Sequence, residues 1–451
     1  MSNPRIAIVG GGPAGLAGAF WRLHGNPGAD ITVFEAGPRV GGWVQAERRD
    51  GFRCELGPQA VRPGAELDAL VTALGLGDAL VPAAATAKAR WIGRGGRLLA
   101  APSGPLSLLG TPLLSLRGKL RLFKEPFVAA GDPTGESLTD FVARRFGKET
   151  RPLVQAMVAG IFAGDADKLE IEGAFPVLAE AERAHGSVFR GLRKKRQATP
   201  KQQRRPRPKA ALYSFAEGMP QLMQVIAARL GERVRADTPV RSLTRDGDGY
   251  RLSFGNDKVA RFDEVVLACP AGAAAGIVSG LDPELARELA AIPTVSIANV
   301  HLGFSAATLP PKLQGFGFLL EPGEQCPVLG AIYVSSLFPS HAPAGKHLLR
   351  VMIGGRRHPE FVERTDDALV QLAIATIARY TGQVLAPEFV RVTRVRAAIP
   401  QYEHGHTLRM QAVERRLLAF PGLSLRGNSY RQVALSGQLG QVSGTDDAAR
   451  R

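Results

Sequence analysis

Apolar and polar positions change period several times along the chain, and each change predicts an element. The run Arg5-Ile6-Ala7-Ile8-Val9 is apolar from its second residue and stops at a glycine cluster; the run 31–34 stops at Glu35. Short apolar runs closed in this way predict buried strands, with a helix after the glycines. Leu222, Val225, Ile226 and Leu230 recur at three- and four-residue spacing and predict a helix. Val234 and Val240 are strand-like, Tyr250, Leu252 and Phe254 alternate, and 264–268 is a further buried parallel strand ended by Pro270-Ala271. Residues 276–395 read as a separate α+β region. Strands are expected there near 298–304, 316–320, 330–334 and 347–353, and a helix over about 366–381. No period of twenty to fifty residues repeats.

Composition narrows the class. A chain of 451 residues exceeds the usual size of one core, and 45% hydrophobic with 22% charged residues is a globular balance, so two or three domains are expected. Cys54, Cys269 and Cys326 are widely spaced, which argues against a disulfide framework or zinc site and fits a reducing cytoplasm. His404 and His406 are the closest histidine pair, and no cluster around them supports a metal. No secretory signal precedes the first strand.

The formal charge of +16 points to an anionic partner surface. Nine basic residues and no acidic one lie between Arg193 and Lys209, with Pro200, Pro206 and Pro208 among them. This stretch reads as a mobile loop, either simply solvated or touching lipid headgroups. Nucleic acid fits less well, because no aromatic residue interrupts the run. The uncharged stretch 98–116 holds Pro102, Pro105 and Pro112 and cannot be a straight spanning helix. Leu113, Leu114, Leu116, Leu120, Leu122 and Phe123 then mix with Arg117, Lys119, Arg121 and Lys124. That pattern suits an element dipping into a membrane face, or a core helix with a charged flank.

The chemistry begins at Gly10-Gly11-Gly12-Pro13-Ala14-Gly15, a GxGxxG turn between strand and helix, with Glu35 twenty residues beyond Gly15. Such a turn brings backbone close to a pyrophosphate, and the helix start favours the phosphates. Glu35 is placed to accept hydrogen bonds from ribose hydroxyls. Arg39-Val40-Gly41-Gly42 just after the acid points to FAD rather than NAD, and no second GxGxxG offers an NADPH site.

Further segments are more specific: Gly160-Ile161-Phe162-Ala163-Gly164-Asp165 followed by Phe175-Pro176-Val177-Leu178; Gln314-Gly315-Phe316-Gly317-Phe318-Leu319; and Ile399-Pro400-Gln401-Tyr402 with Gly405-His406. With the fingerprint they resemble the FAD-dependent protoporphyrinogen oxidases of the amine oxidase-like flavoprotein superfamily, from about Arg5 to Leu435. The resemblance implies an α/β fold: a discontinuous Rossmann-like FAD-binding domain (1–88, 211–275, 396–451), an α+β substrate-binding domain (89–104, 175–210, 276–395) and a helical membrane-binding insertion (105–174). It implies a cytoplasmic enzyme of haem biosynthesis, bound peripherally to the anionic inner face of the cell membrane. A porphyrinogen would lose six electrons and six protons in three hydride transfers to FAD, and dioxygen would leave as hydrogen peroxide. A homodimer and neighbouring haem-pathway enzymes are the implied protein partners, with no nucleic acid. The flavin carries the redox step, and the chain shows no catalytic triad, cysteine or paired carboxylates of its own.

Position by position, the resemblance places FAD contacts on Gly10 to Gly15 (Gly10, Gly11, Gly12, Pro13, Ala14, Gly15), Glu35, Ala36, Arg39, Gly42 and Trp43. It adds Gly57, Pro58, Gln59 and Ala60, the backbone of Val240, and Asn428, Val433, Ala434 and Leu435. Arg90 would pair with a propionate; Phe316, Gly317, Leu319 and Met352 would line the apolar pocket. The chain departs from the family at Arg431-Gln432, where a glycine belongs, and at Ser436-Gly437-Gln438. Gln432 adds bulk beside the cofactor, so FAD affinity is at stake there. Two other readings stay open: a coproporphyrinogen oxidase of the same fold, and a non-catalytic tetrapyrrole binder.

Overall fold

The computed structural model describes residues 3–102, 104–198, 210–255, 258–308, 310–324, 326–431 and 433–440. Five strands from distant parts of the chain form one parallel sheet, in the order Leu423–Leu425, Glu264–Leu267, Arg5–Val9, Asp30–Phe34, Val234–Arg235. Alternation sorts its two faces. Ile6, Ile8, Ile31, Val33 and Val266 pack under the helices Pro13–Gly25, Ala65–Leu74 and Pro220–Leu230. Ala7, Val9, Phe34, Val265 and Leu267 pack against the antiparallel strands Val240–Asp246, Gly249–Phe254 and Val259–Phe262 and the helices Ala271–Val278 and Pro283–Ala290. A strand covered on both faces must be apolar at every position, which is why these segments read as continuous apolar runs.

A second sheet has seven strands, ordered Phe389–Pro400, Thr294–Ser305, Lys346–Gly354, Val328–Tyr333, Gly317–Leu320, Arg90–Arg94, Arg97–Ala100. Neighbours are antiparallel except Gly317–Leu320 beside Arg90–Arg94. One face buries Ala298, Val300, Leu302, Leu349, Val351 and Ile353 under the helix Asp366–Thr381. The other carries Ile297, Met352 and Ile332 toward Ala159 and Ala163, at the end of the helix Arg151–Phe162.

Helices Leu138–Phe146, Arg151–Phe162, Pro176–His185 and Val188–Ala198 share a third core built from Leu138, Phe141, Val142, Val158, Phe162, Ala179 and Val188. Two expectations need correction here. Arg193 to Arg196 belong to the helix Val188–Ala198 and not to a loop, because Val188 anchors that helix in the core; Lys201 to Lys209 lie outside the described residues. Leu113 and Leu114 are buried and face protein, whereas Leu116, Leu120, Phe123 and Phe127 are exposed.

The helical part is locked by charge. Arg145, Glu125 and Glu182 are completely buried together, and Arg145 pairs with both carboxylates. Glu125 also accepts from the Val188 N–H at 2.9 Å and the Ser187 hydroxyl at 2.7 Å, so one carboxylate pins the turn Glu125–Phe127 to the start of the last helix. Removing one partner of such a cluster strands a buried charge. Arg145→Ala should therefore lower the unfolding free energy by about 3–5 kcal/mol. Denaturant melts check this, and a loss under about 1 kcal/mol would mean the cluster is not what holds these helices.

Candidate active site

The strand Arg5–Val9 delivers the glycine turn to the edge of the parallel sheet. Gly10 has φ +115°, and a Cβ on Gly15 would lie 1.9 Å from the Gly10 carbonyl oxygen, so helix and turn meet backbone to backbone. The helix Pro13–Gly25 starts without a side-chain cap, leaving first-turn N–H groups for an anion. The space above Gly12 is open: a Cβ there would meet nothing nearer than Gly42 Cα at 4.0 Å. Glu35 is anchored, accepting from the Gly11 N–H at 2.8 Å through Oε2 and from the Gly37 N–H at 2.9 Å through Oε1. Each oxygen keeps a lone pair for a further donor. Ala36, Arg39, Gly42 and Trp43 are exposed along this edge.

Other expected positions surround the same turn. The Thr238 N–H bonds the Glu35 carbonyl at 2.8 Å, which sets Val240 at the start of the next strand. The segment after Leu425 passes the helix start, with Gly427 close to Ala14. There the Asn428 carbonyl accepts from the Tyr402 hydroxyl, Val433 packs on the helical core, Ala434 is exposed and Leu435 is buried beside the helix Pro13–Gly25. Gln432 lies outside the described residues. His404 and His406 each face a backbone carbonyl, of Gly135 and Tyr430.

Gly57 joins the turn to the second sheet. A Cβ on it would sit 1.8 Å from the Trp43 carbonyl oxygen. Pro58 follows half-buried, Gln59 is buried with its Nε2 3.5 Å from His341 Nδ1, and Ala60, Phe316 and Ile332 all pack against the cluster of Ala87, Leu337 and Phe338. The expected substrate residues meet on one face of the seven-stranded sheet. Met352, Gly330, Leu319 and Ile92 are cross-strand partners in one row; Arg350, Ile332, Gly317 and Arg90 form the row beside it. Gly160 in the facing helix closes on Leu319, where a Cβ would approach to 2.7 Å. The Arg90 guanidinium lies 4.5 Å from the Phe316 ring centroid and makes no ion pair among the described residues.

The sequence reading missed the buried charges beneath this junction. Burial pushes the Glu55 carboxyl up to about 7, against the pull of the Met219 N–H it accepts at 3.0 Å. Burial lowers His341 to about 4 and Arg350 to about 10. The signal available was Arg350 itself, a cation inside the apolar run Leu348-Leu349-Arg350-Val351-Met352-Ile353.

An uncapped helix start with open space over its glycine and an anchored acid form a dinucleotide cradle, and with the family match below they make the protein a flavin-dependent oxidoreductase. The chain belongs to the flavin containing amine oxidoreductase family, whose model matches residues 13–437, and FAD is the cofactor these residues fit. It is 30% identical over 446 residues to the coproporphyrinogen III oxidase of Bacillus subtilis (strain 168), covering 95% of this chain and 94% of that one. It is 31% identical over 456 residues to the chloroplastic protoporphyrinogen oxidase of Oryza sativa subsp. japonica, covering 95% and 84%. A crystal structure provisionally named a protoporphyrinogen oxidase, from Exiguobacterium sp. 255-15, superposes with a TM-score of 0.80 at 28% identity over 97% of both chains.

Glu55 makes stability pH-dependent in a definite sense. Its carboxyl is raised to about 7 in the folded protein, so between its unfolded value near 4.5 and 7 the folded state holds the extra proton. Stability then falls as pH rises through that window and levels off above it. Glu55→Gln stays neutral and keeps the acceptor for Met219. The stability of the wild type relative to Glu55→Gln should drop by about 3 kcal/mol between pH 4.5 and 7.5. A difference that stays constant across that range would show Glu55 ionised in the folded state.

Proposed function

We propose that this chain oxidises a porphyrinogen to the porphyrin, with protoporphyrinogen IX as substrate, on the sheet face carrying Leu319 and Met352. One observation carries the reading: Arg90, without an ion pair among the described residues and lying over the Phe316 ring, edges the apolar patch of Leu319, Ile332 and Met352. Other arginines are already taken: Arg94 on the same strand pairs with Glu321, Arg356 with Glu403 and Arg357 with Asp165. One free guanidinium beside an apolar floor suits a flat, greasy ring with few carboxylates. When bound, FAD supplies the redox chemistry, taking hydride equivalents from the ring and passing them to dioxygen. The chain's own residues bind and orient: the helix start and glycines hold the diphosphate, Glu35 the ribose, and Gly57 to Ala60 the face toward the ring. Leu319, Ile332 and Met352 exclude water.

Arg90→Ala should raise KM with a smaller fall in kcat, a loss in kcat/KM of roughly ten- to a hundred-fold. Arg90→Lys should recover part of it, because a point charge cannot reproduce the fork. Unchanged kinetics in Arg90→Ala with FAD bound would place the anchor elsewhere. The Bacillus relative favours a second reading, coproporphyrinogen III. Assaying both porphyrinogens for fluorescent product and peroxide separates the two.

We further propose that the helical part rests on the inner, anionic face of a membrane. No helix among the described residues is long and apolar enough to cross one. Leu116 (74% exposed), Leu120, Phe123 and Phe127 (83% exposed) project from a stretch bearing Arg117, Lys119, Arg121 and Lys124. Arg190 lies 5.9 Å from the Phe127 ring, so the helix Val188–Ala198, which carries exposed Phe189 and Leu192 and the cations Arg193 to Arg196, starts beside that stretch. The shared core supports extending the membrane part from 105–174 to residue 198. Apolar tips among cations suit an interfacial element. The protein should sediment with vesicles containing anionic lipid and be partly released at 1 M salt, where screening shortens to about 3 Å. Leu116→Ser with Phe127→Ser should weaken sedimentation at both salts. Binding indifferent to lipid charge, salt and both substitutions would remove this surface from the account.

A further inference from the structure

Arg350 sits in a core strand, 3% exposed, and burial lowers its pKa only to about 10, so it stays charged at neutral pH. A buried charge is costly unless a counter-charge and hydrogen bonds hold it. Among the described residues no carboxylate contacts this guanidinium. Its Nε donates to Oδ1 of Asn299 at 3.0 Å, and its Nη1 donates to the Gly57 carbonyl at 2.6 Å. Asn299 is completely buried on the neighbouring strand. A guanidinium only donates, so the amide oxygen must face it, and that orientation is fixed by chemistry. Glu55 is within electrostatic reach, but burial drives it toward neutrality.

The clamp ties two structures together. Arg350 is two residues from Met352 on the same strand face, and in the row with Ile332, Gly317 and Arg90. Gly57 abuts Trp43, and the Gly41 N–H bonds the Gly11 carbonyl at 2.7 Å. The charge therefore lies at the seam between the cofactor turn and the pocket face, where low dielectric strengthens its field.

We propose that Arg350 is a positioning residue for the flavin: it fixes the Gly57-to-Ala60 loop against the pocket sheet and supplies a standing positive charge that favours the reduced, negatively charged cofactor. The proposal rests on the assignment of that loop to FAD. The other buried arginines among the described residues differ from Arg350 in having carboxylate partners: Arg145 is neutralised by Glu125 and Glu182, and Arg53 pairs with Glu217.

The test is a redox titration of the FAD-loaded, full-length protein, followed by flavin absorbance with no porphyrinogen present. Arg350→Met removes the charge at similar volume, Arg350→Lys keeps the charge without the fork, and Asn299→Asp leaves Arg350 in place but neutralises it. At a fixed potential, the ratio of reduced to oxidised flavin should fall at least roughly ten-fold in Arg350→Met and Asn299→Asp, with Arg350→Lys between them and the wild type. Wild-type ratios in folded Arg350→Met and Asn299→Asp would overturn the proposal; if Arg350→Met does not fold, Asn299→Asp decides alone. Gly57→Ala separates the loop assignment from the charge. Unchanged FAD affinity there would sink the assignment and the proposal together, whereas weakened affinity with unchanged ratios in the other variants would sink the proposal only.

Discussion

Backbone meets backbone at the centre of this molecule, and the rest is arranged around that approach. With Gly57 so close to the Trp43 carbonyl and Gly15 so close to the Gly10 carbonyl, no side chain can stand between the segments 10–15, 41–43 and 57–60. Their contact sets the hairpin Ala46–Arg49 and Phe52–Glu55 on the seven-stranded sheet, where Phe52 stacks on Phe389 with ring centroids 4.5 Å apart. The parallel sheet and the pocket sheet thus hold a fixed relation, made by glycines at one end and a phenylalanine pair at the other.

The same junction explains how charge is distributed. Arg90 lies at the outer end of a cross-strand row, on an aromatic face, and makes no ion pair among the described residues. Arg350 lies further along that row, and its hydrogen bonds are spent on a backbone carbonyl and an amide. On our proposals the two arginines divide recognition from positioning. The helical part repeats the contrast: Arg145 is sealed by carboxylates, while the cations around Phe127 stay at the surface.

The parallel strands were legible in the sequence because burial on both faces makes every position apolar, as in Ile6 to Val9 and Val265 to Leu267. The glycine turn and Glu35 were legible because their spacing is set by local geometry. The pocket rows were not. Arg90 and Gly317 pair in register across more than two hundred residues of chain, and no local pattern encodes such a pairing. Leu113 and Leu114 could not be told apart from Leu116 and Leu120, because periodicity shows that a face is apolar but not what covers it. Arg193 to Arg196 read as a loop because prolines follow, although Val188 and the Glu125 cluster hold their helix from the other end.

The central claim is that a porphyrinogen on the Leu319–Met352 face reaches the flavin held by the glycine turn. Anaerobic mixing of the FAD-loaded protein with protoporphyrinogen or coproporphyrinogen tests it most directly, by following flavin absorbance. The account predicts that the oxidised flavin bleaches at a rate that saturates with one of the two porphyrinogens, while porphyrin fluorescence appears. Flavin that stays oxidised with both, in protein that retains its FAD, would contradict it.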